Sequence, residues 1–415
     1  MRDIVFQGVT APLRLEGAEA VIHLLQEIAA GWPFRLAQAD PAVVPFFTIR
    51  QIEGDARLRC ESHVEDRPPQ LWDPVNAVCD ALASLAVALP LSDPRLICLH
   101  AAGVAMSGQL VVFPNIRRAG KSTLSVALAR AGHRVFSDDV VPLSFPSEGP
   151  AVAQALGIAP RLRLPLPASL PADFRSWAEA VPGPRNRQYH YLPLSDQPAH
   201  GARLPVGAFV LLDRRDAPTP ALPTPTLLTP VPPDAAMDAL LHQNFTRDRH
   251  SGAVLDAMAA TLSTTPVWQL TYADLDDAVR CLEEGFAGPA DPLPPAGSER
   301  RFTPAVMDHK ADPVGALMSQ RTGCVERWIG ETLYLADPEG RAIQRMDPLA
   351  AAIWGMLAEP VSPEELEAAL REAFPGTPRE RIAADLSALL AGLAEAGLLG
   401  GTEAGRGEVS TVEDP

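Results

Sequence analysis

The chain has 415 residues, a formal net charge of −16 at pH 7 and 47% hydrophobic residues. That length holds two or three domains with a sizeable core, and the acidic balance argues against nucleic acid or an anionic membrane as a main partner. Five widely spaced cysteines, Cys60, Cys79, Cys98, Cys281 and Cys324, include no C-x-x-C pair, which argues against a disulfide framework or cysteine zinc site and fits a reducing compartment.

No basic-then-apolar signal opens the chain and no run of about 18 apolar residues is read in it, so a cytoplasmic protein is expected. Residues 1–92 read as a small α+β scaffold region. Ala18, Val21, Ile22, Leu24, Leu25, Ile28 and Ala29 recur at helical spacing before Gly31-Trp32-Pro33. Residues 46–50 and 56–60 predict strands about a turn at Gly54. A helix follows Asp73-Pro74, with Val75, Val78, Leu82, Leu85 and Ala86 on one face.

The chemistry gathers in residues 100–139, HAAGVAMSGQLVVFPNIRRAGKSTLSVALARAGHRVFSDD. Leu110-Val111-Val112-Phe113-Pro114 predicts a buried strand, and Asn115-Ile116-Arg117-Arg118-Ala119 a loop into Gly120-Lys121-Ser122-Thr123. Leu124, Val126, Ala127, Leu128 and Ala131 give the apolar face of a helix that stops at Gly132. The short return predicts a strand at residues 134–137 lying beside the first, with Asp138 and Asp139 at its carboxyl end. A helix beginning near Gly120 turns free N–H groups and a positive dipole end toward phosphates. Lys121 would reach the β- and γ-phosphates, and the Ser122 hydroxyl would ligate Mg²⁺.

The nucleotide-binding set expected is Asn115, Arg117, Arg118, Ala119, Gly120, Lys121, Ser122 and Thr123. Asn115 stands where the G-x-x-x-x-G-K-[ST] pattern has glycine, and it tolerates the left-handed turn. Arg118 replaces a frequent glycine, either adding a phosphate contact or weakening the site. The chain has only two lysines, Lys121 and Lys310, against 33 arginines. Keeping one directly after Gly120 favours a phosphate site over a chance GKS at a helix start.

His100, Gly120-Lys121-Ser122-Thr123 and Ser137-Asp138-Asp139-Val140 together resemble the HPr serine kinase/phosphorylase family and its relatives, over about residues 95–285. The resemblance implies an α/β P-loop (HPr kinase-like) kinase domain at residues 93–285 that uses ATP and Mg²⁺. It casts Asp138, His100 and Lys121 as catalytic: Asp138 the base for a substrate hydroxyl, His100 beside the catalytic acid. It casts Asp139, with Ser122, near the metal. On the residues alone, Asp138 and Asp139 could instead cap the following turn, and His100 could be a core histidine. The reverse phosphorylase reaction stays open while His100 is present.

Beyond Asp139 the chain is proline-rich, and two basic segments carry Arg161, Arg163 and Arg187. These would neutralise a transferred phosphate, or serve as ordinary surface arginines. A strand at 206–213, a Pro/Thr-rich loop at 216–233, helices at 234–245 and 251–262, a strand at 267–271 and a helix at 273–285 complete the domain. Residues 286–318, which include Lys310, read as a linker.

Residues 319–400 predict a separate module with strands at 324–328, 332–335 and 341–346. A helix at 348–358 would turn Leu349, Ile353 and Trp354 inward, and Ser362-Pro363-Glu364-Glu365 is a capping box for the next. The third, at 378–397, carries Ile382, Leu386, Leu389, Leu390 and Leu393. Three strands then three helices resemble PqqD, a winged-helix-like peptide chaperone whose relatives recognise leaders of ribosomally made, modified peptides. The resemblance implies a groove at Arg341, Ile343, Arg345, Leu386 and Leu390, where a leader adds as a strand; a module used only for packing is the other reading. Residues 401–415 read as a disordered acidic tail.

Joined, the resemblances imply a serine (or threonine) kinase whose substrate is a precursor peptide held by its leader, with no nucleic-acid or membrane partner, and compatible with a homo-oligomer. A small-metabolite hydroxyl kinase and a non-catalytic, nucleotide-gated peptide-binding protein are the alternatives, the irregular 115–119 loop favouring the last.

Overall fold

Alternating apolar residues place Ile4, Phe6, Leu13 and Leu15 in one core, with strands Arg2–Phe6 and Leu13–Glu16 antiparallel around them. The computed structural model describes residues 1–114, 119–146, 149–215, 225–246, 249–288 and 317–402. They fall into two units, Met1–Asp248 with Ala260–Pro294, and Arg249–Ala259 with Pro295–Pro415.

In the first unit, a six-stranded sheet runs Phe34–Gln38, Arg2–Phe6, Leu13–Glu16, Phe47–Gln51, Leu58–Ser62, Gln70–Trp72. Its core includes Val21, Leu25 and Ile28 of the helix Val21–Ile28, and Val78, Leu82 and Leu85 of the helix Pro74–Ser92. Asp73 caps the latter by accepting from the N–H groups of Val75 and Asn76 at 3.0 and 3.2 Å.

The Pro74–Ser92 helix corrects one expectation. With 19 residues and a mean hydropathy of 1.6, it is long and apolar enough to cross a membrane by length and composition. Asn76 and Asp80 interrupt the apolar run, which hid it in the sequence. Here it is a core helix, and Asp80 accepts from Arg67 at 2.8 Å and from Trp72 Nε1 at 3.0 Å.

A nine-stranded sheet follows. One path runs Arg134–Ser137, Ala101–Met106, Gln109–Pro114, Arg203–Arg214, then Val152–Gln154, Val141–Ser144 and Ile97–Leu99. Val267–Tyr272 pairs with the far half of Arg203–Arg214, and Leu227–Pro230 with Val267–Tyr272. Gln109–Pro114, Arg203–Arg214 and Val267–Tyr272 are parallel, so Pro114, Arg214 and Tyr272 end on one edge. The helices Lys121–Arg130 and Leu275–Gly285 share a core with this sheet through Leu124, Leu128, Ala278 and Leu282.

The return strand does not lie beside Gln109–Pro114 as expected. A turn at Ser107 and Gly108, both left-handed, folds Ala101–Met106 back along that flank in six register pairs. Arg134–Ser137 pairs antiparallel with Ala101–Met106 instead. Two antiparallel pairings restore direction, so Asp138 still emerges on the edge where Gln109–Pro114 ends. Ala131 is the exposed C-cap of Lys121–Arg130 and lies outside its apolar face.

In the second unit, Val325–Ile329, Thr332–Ala336 and Ile343–Met346 form an antiparallel sheet in that order. The helices Pro348–Met356, Pro363–Ala373 and Arg379–Glu395 pack on it around Trp354, Leu366, Leu386 and Leu390. The capping box at Ser362 and Glu365 forms as the sequence predicts. Leu349 corrects another expectation, being 44% exposed while Ala350, Ala351, Ile353 and Trp354 face the core. The helix begins at Pro348 behind the Asp347 cap, which fixes the phase of the inner face. A further pair, Leu317–Gln320 with Leu399–Thr402, closes the unit and takes residues read as linker and tail. Lys310 and residues 403–415 lie outside the described residues.

Candidate functional site

Gly120 is the N-cap of Lys121–Arg130, with φ of 100°, and no side chain caps it. A Cβ here would stand 2.9 Å from Tyr272 Oη, so the position needs glycine for both conformation and space. Lys121 is buried at 6% exposure, while Ala119, Gly120, Ser122 and Thr123 are half-buried. Asn115, Arg117 and Arg118 lie outside the described residues.

The two aspartates part company. Ser122 Oγ donates to Asp138 Oδ1 at 2.9 Å, and Arg161 N–H donates to Asp138 Oδ2 at 3.2 Å. Asp139, left-handed with φ of 70°, pairs with the Arg161 guanidinium at 2.6 Å. Burial, then the neighbouring Asp139 charge, pushes the Asp138 carboxyl up to about 7, against the hydrogen bonds from Arg161 N–H and Ser122. A carboxylate so poised exchanges a proton near neutral pH.

Ser122 thus meets Asp138, whereas the family resemblance pairs it with Asp139. One hydroxyl and one carboxylate are hard oxygen donors, and Mg²⁺ uses few protein ligands when phosphates and water supply the rest. Among the described residues no group of three His, Cys, Asp or Glu could hold a metal. The donors fit Mg²⁺ carried with a nucleotide and do not fit an all-protein metal cage.

Arg161 is held on several sides. Its guanidinium lies 4.6 Å from the Tyr189 ring centroid and contacts Cys79 Sγ of the Pro74–Ser92 helix. Its strand, Arg161–Arg163, pairs antiparallel with Tyr189–Tyr191. Asn186 donates to both carboxylate oxygens of Asp73 at 2.9 and 3.0 Å, fastening this hairpin to the helix cap. Arg163 lies 5.7 Å from the same Tyr189 ring and is exposed; Arg187 is exposed in the connecting segment. Of the three arginines, the structure brings Arg161 alone to the acids. His100 precedes Ala101, the register partner of Pro114, and its N–H donates to the Gln243 carbonyl at 2.8 Å. Cys79, Tyr189, Arg214 and Tyr272 were not among the site residues read from the sequence, because only long-range pairing brings them here; the ends of strands parallel to Gln109–Pro114 were the one available signal for the last two.

In the second unit Ile343–Met346 is an edge strand. Ile343 is half-buried and Arg345 exposed. Arg341 precedes the strand and pairs with buried Asp337 at 2.9 Å, locking the turn. Leu386 and Leu390 are packed in the core, with half-buried Leu389 between them on the helix.

Residues 333–399 match the family model for coenzyme PQQ synthesis protein D (PqqD). The chain therefore carries a PqqD-like domain at its C-terminus, which supports a role in peptide-modification biosynthesis and a peptide partner. Among solved structures, the Hpr(Ser) kinase/phosphatase from Coxiella burnetii is a distant neighbour, at 12% identity and a TM-score of 0.22, over 45% of this chain and 95% of that one. A likeness of that degree fixes neither fold nor activity. No curated protein matches the chain.

Proposed function

We propose that the chain is an ATP-dependent kinase that phosphorylates a serine or threonine of a ribosomally made precursor peptide, held through its leader by the PqqD-like domain. The carrying observation is the Asp138 carboxylate, poised near pH 7 and 2.9 Å from Ser122 at the start of the Lys121–Arg130 helix. Lys121 and the N–H groups of the first turn would bind the phosphates. The Ser122 hydroxyl would hold Mg²⁺, which supplies charge neutralisation on the phosphates when bound, and leaves the Asp138 carboxylate to act as the base. In the transfer, the substrate hydroxyl oxygen bonds to the γ-phosphorus as the bond to the β,γ-bridging oxygen breaks. The hydroxyl proton passes to Asp138, and ADP leaves. Arg161 keeps Asp139 in place beside it.

The test is phosphate transfer from γ-labelled ATP to a synthetic precursor peptide by the full chain. Lys121→Ala should abolish transfer while the fold persists by circular dichroism. Unchanged turnover in that variant would remove the helix N-terminus from the mechanism.

A further inference from the structure

A hydroxyl that reaches Asp138 arrives attached to an acceptor, and the rest of that acceptor meets the hairpin beside Asp138. The Arg161 N–H donates to Asp138 Oδ2 at 3.2 Å, so the strand Arg161–Arg163 starts at the proposed base. Side chains alternate along a strand. Leu162 and its register partner His190 are buried, which turns Arg161, Arg163 and Tyr189 to the other face. Both guanidiniums approach the Tyr189 ring, at 4.6 and 5.7 Å from its centroid. Arg161 is engaged by Asp139, whereas Arg163, two residues on, is exposed. The partner strand begins at a turn where Asn186 Oδ1 accepts from the N–H groups of Gln188 and Tyr189, both at 2.8 Å. That turn leaves Arg187 exposed at its tip.

Among the described residues, Arg163 and Arg187 make no ion pair. Two carboxylates beside the hairpin are already engaged, Asp73 by Asn186 and Asp139 by Arg161. Elsewhere, exposed arginines such as Arg50, Arg57, Arg95 and Arg134 each sit on a carboxylate. The whole chain carries a net charge of −16, so two uncompensated cations here oppose the average field and favour an approaching anion. Two residues of extended chain advance about 7 Å, the same step in this strand and in an extended acceptor. A peptide whose hydroxyl lies at Asp138, and whose backbone follows the hairpin, brings a residue about two or three positions away to Arg163.

We infer that Arg163 and Arg187 select acidic acceptor segments, pairing with an aspartate or glutamate about two or three residues from the phosphorylated hydroxyl. The planar, forked guanidinium suits a carboxylate in this role. The inference rests on the kinase reading above and adds to it the local sequence that the acceptor carries.

The test is fluorescence anisotropy of the full chain, without nucleotide, against two labelled synthetic peptides. One has a central serine with aspartates about two residues to either side; the other has asparagines in their place. The wild type should bind the acidic peptide about fivefold tighter at low salt. Arg163→Gln should cut that preference to about twofold, and Arg163→Gln combined with Arg187→Gln should erase it. Arg59 is exposed on the strand Leu58–Ser62, so Arg59→Gln makes the same change in net charge elsewhere and should leave the preference intact. Equal binding of the two peptides by the wild type overturns the assignment. So does a preference lost equally in Arg59→Gln, which would make it an effect of overall charge. A non-hydrolysable ATP analogue with Mg²⁺ should bind Arg163→Gln as tightly as wild type; severalfold weaker binding would make Arg163 a donor-phosphate contact and overturn the assignment too. The peptide arm needs no transfer. A kinase reading lost through full activity of Lys121→Ala therefore leaves its result standing, and a missing preference leaves the kinase reading standing.

Discussion

Asp138 carries the sharpest residue-scale expectations. Its carboxyl is raised to about 7 by burial and by Asp139. As a base it works deprotonated, so kcat/KM, which reports the free enzyme, should rise with pH through about 7. Asp138→Asn should keep nucleotide affinity within a few-fold and lose transfer, read by parallel titration and phosphopeptide assays; full activity would reduce Asp138 to a structural residue. The linkage to folding has the opposite sign from the usual carboxylate. A folded-state value above the unfolded one means the native state binds the extra proton, so the contribution is fully present below about pH 4 and is lost as pH rises through about 7. Asp138→Asn should therefore gain in melting temperature relative to wild type as pH rises from 4 to 8. Arg161 sets the same group from behind. Removing its charge in Arg161→Gln strips Asp139 of its 2.6 Å partner and leaves Asp138 facing an uncompensated carboxylate. The rising limb of the pH profile should move to higher pH in that variant, whereas a merely structural role would lower the rate at every pH alike.

At the scale of elements, the turn into the Lys121–Arg130 helix leaves no room for a side chain at Gly120. Gly120→Ala asks an L-residue for φ of 100° and puts its Cβ against the Tyr272 hydroxyl. The conformation alone costs about 1–2 kcal/mol, so chemical denaturation should show at least that loss, with weaker phosphate binding. In the second unit the helix Pro348–Met356 separates packing from surface within its first two turns. Trp354 is buried and donates from Nε1 to Glu326 at 2.8 Å, while Leu349 is exposed. Trp354→Ala should cost about 3–5 kcal/mol; Leu349→Ser should stay within about 0.5 kcal/mol. That helix was legible in sequence through its Asp-Pro start, but its inner face was not, because Leu349 and Ala350 compete for the core by size and only the Asp347 cap fixes the phase. Short strands such as Ala101–Met106 and Arg161–Arg163 escaped for a related reason: a few residues carry too little periodicity to signal a strand before its partner is known.

For the whole molecule, the proposed division of labour is recognition in one unit and transfer in the other. A leader bound with micromolar affinity, about 8 kcal/mol, raises the local concentration of its tethered core to about millimolar. Removing residues 317–402 should raise KM for the full precursor while sparing kcat at saturating core peptide. Equal efficiency of truncated and intact chains would leave the PqqD-like domain without a substrate role and favour a small-metabolite acceptor. By itself the sequence determined the Gly-Lys-Ser-Thr helix start, the acid pair after a short strand and the C-terminal series of strands and helices, because each depends on neighbours along the chain. Tertiary structure alone decided that Asp138 meets Ser122 while Asp139 meets Arg161, that Cys79 and Tyr189 hold that arginine, and that Arg214 and Tyr272 flank Gly120. Those contacts join segments from 16 to 152 residues apart, and the order of strands in the sheet, which local periodicity does not encode, brings them together.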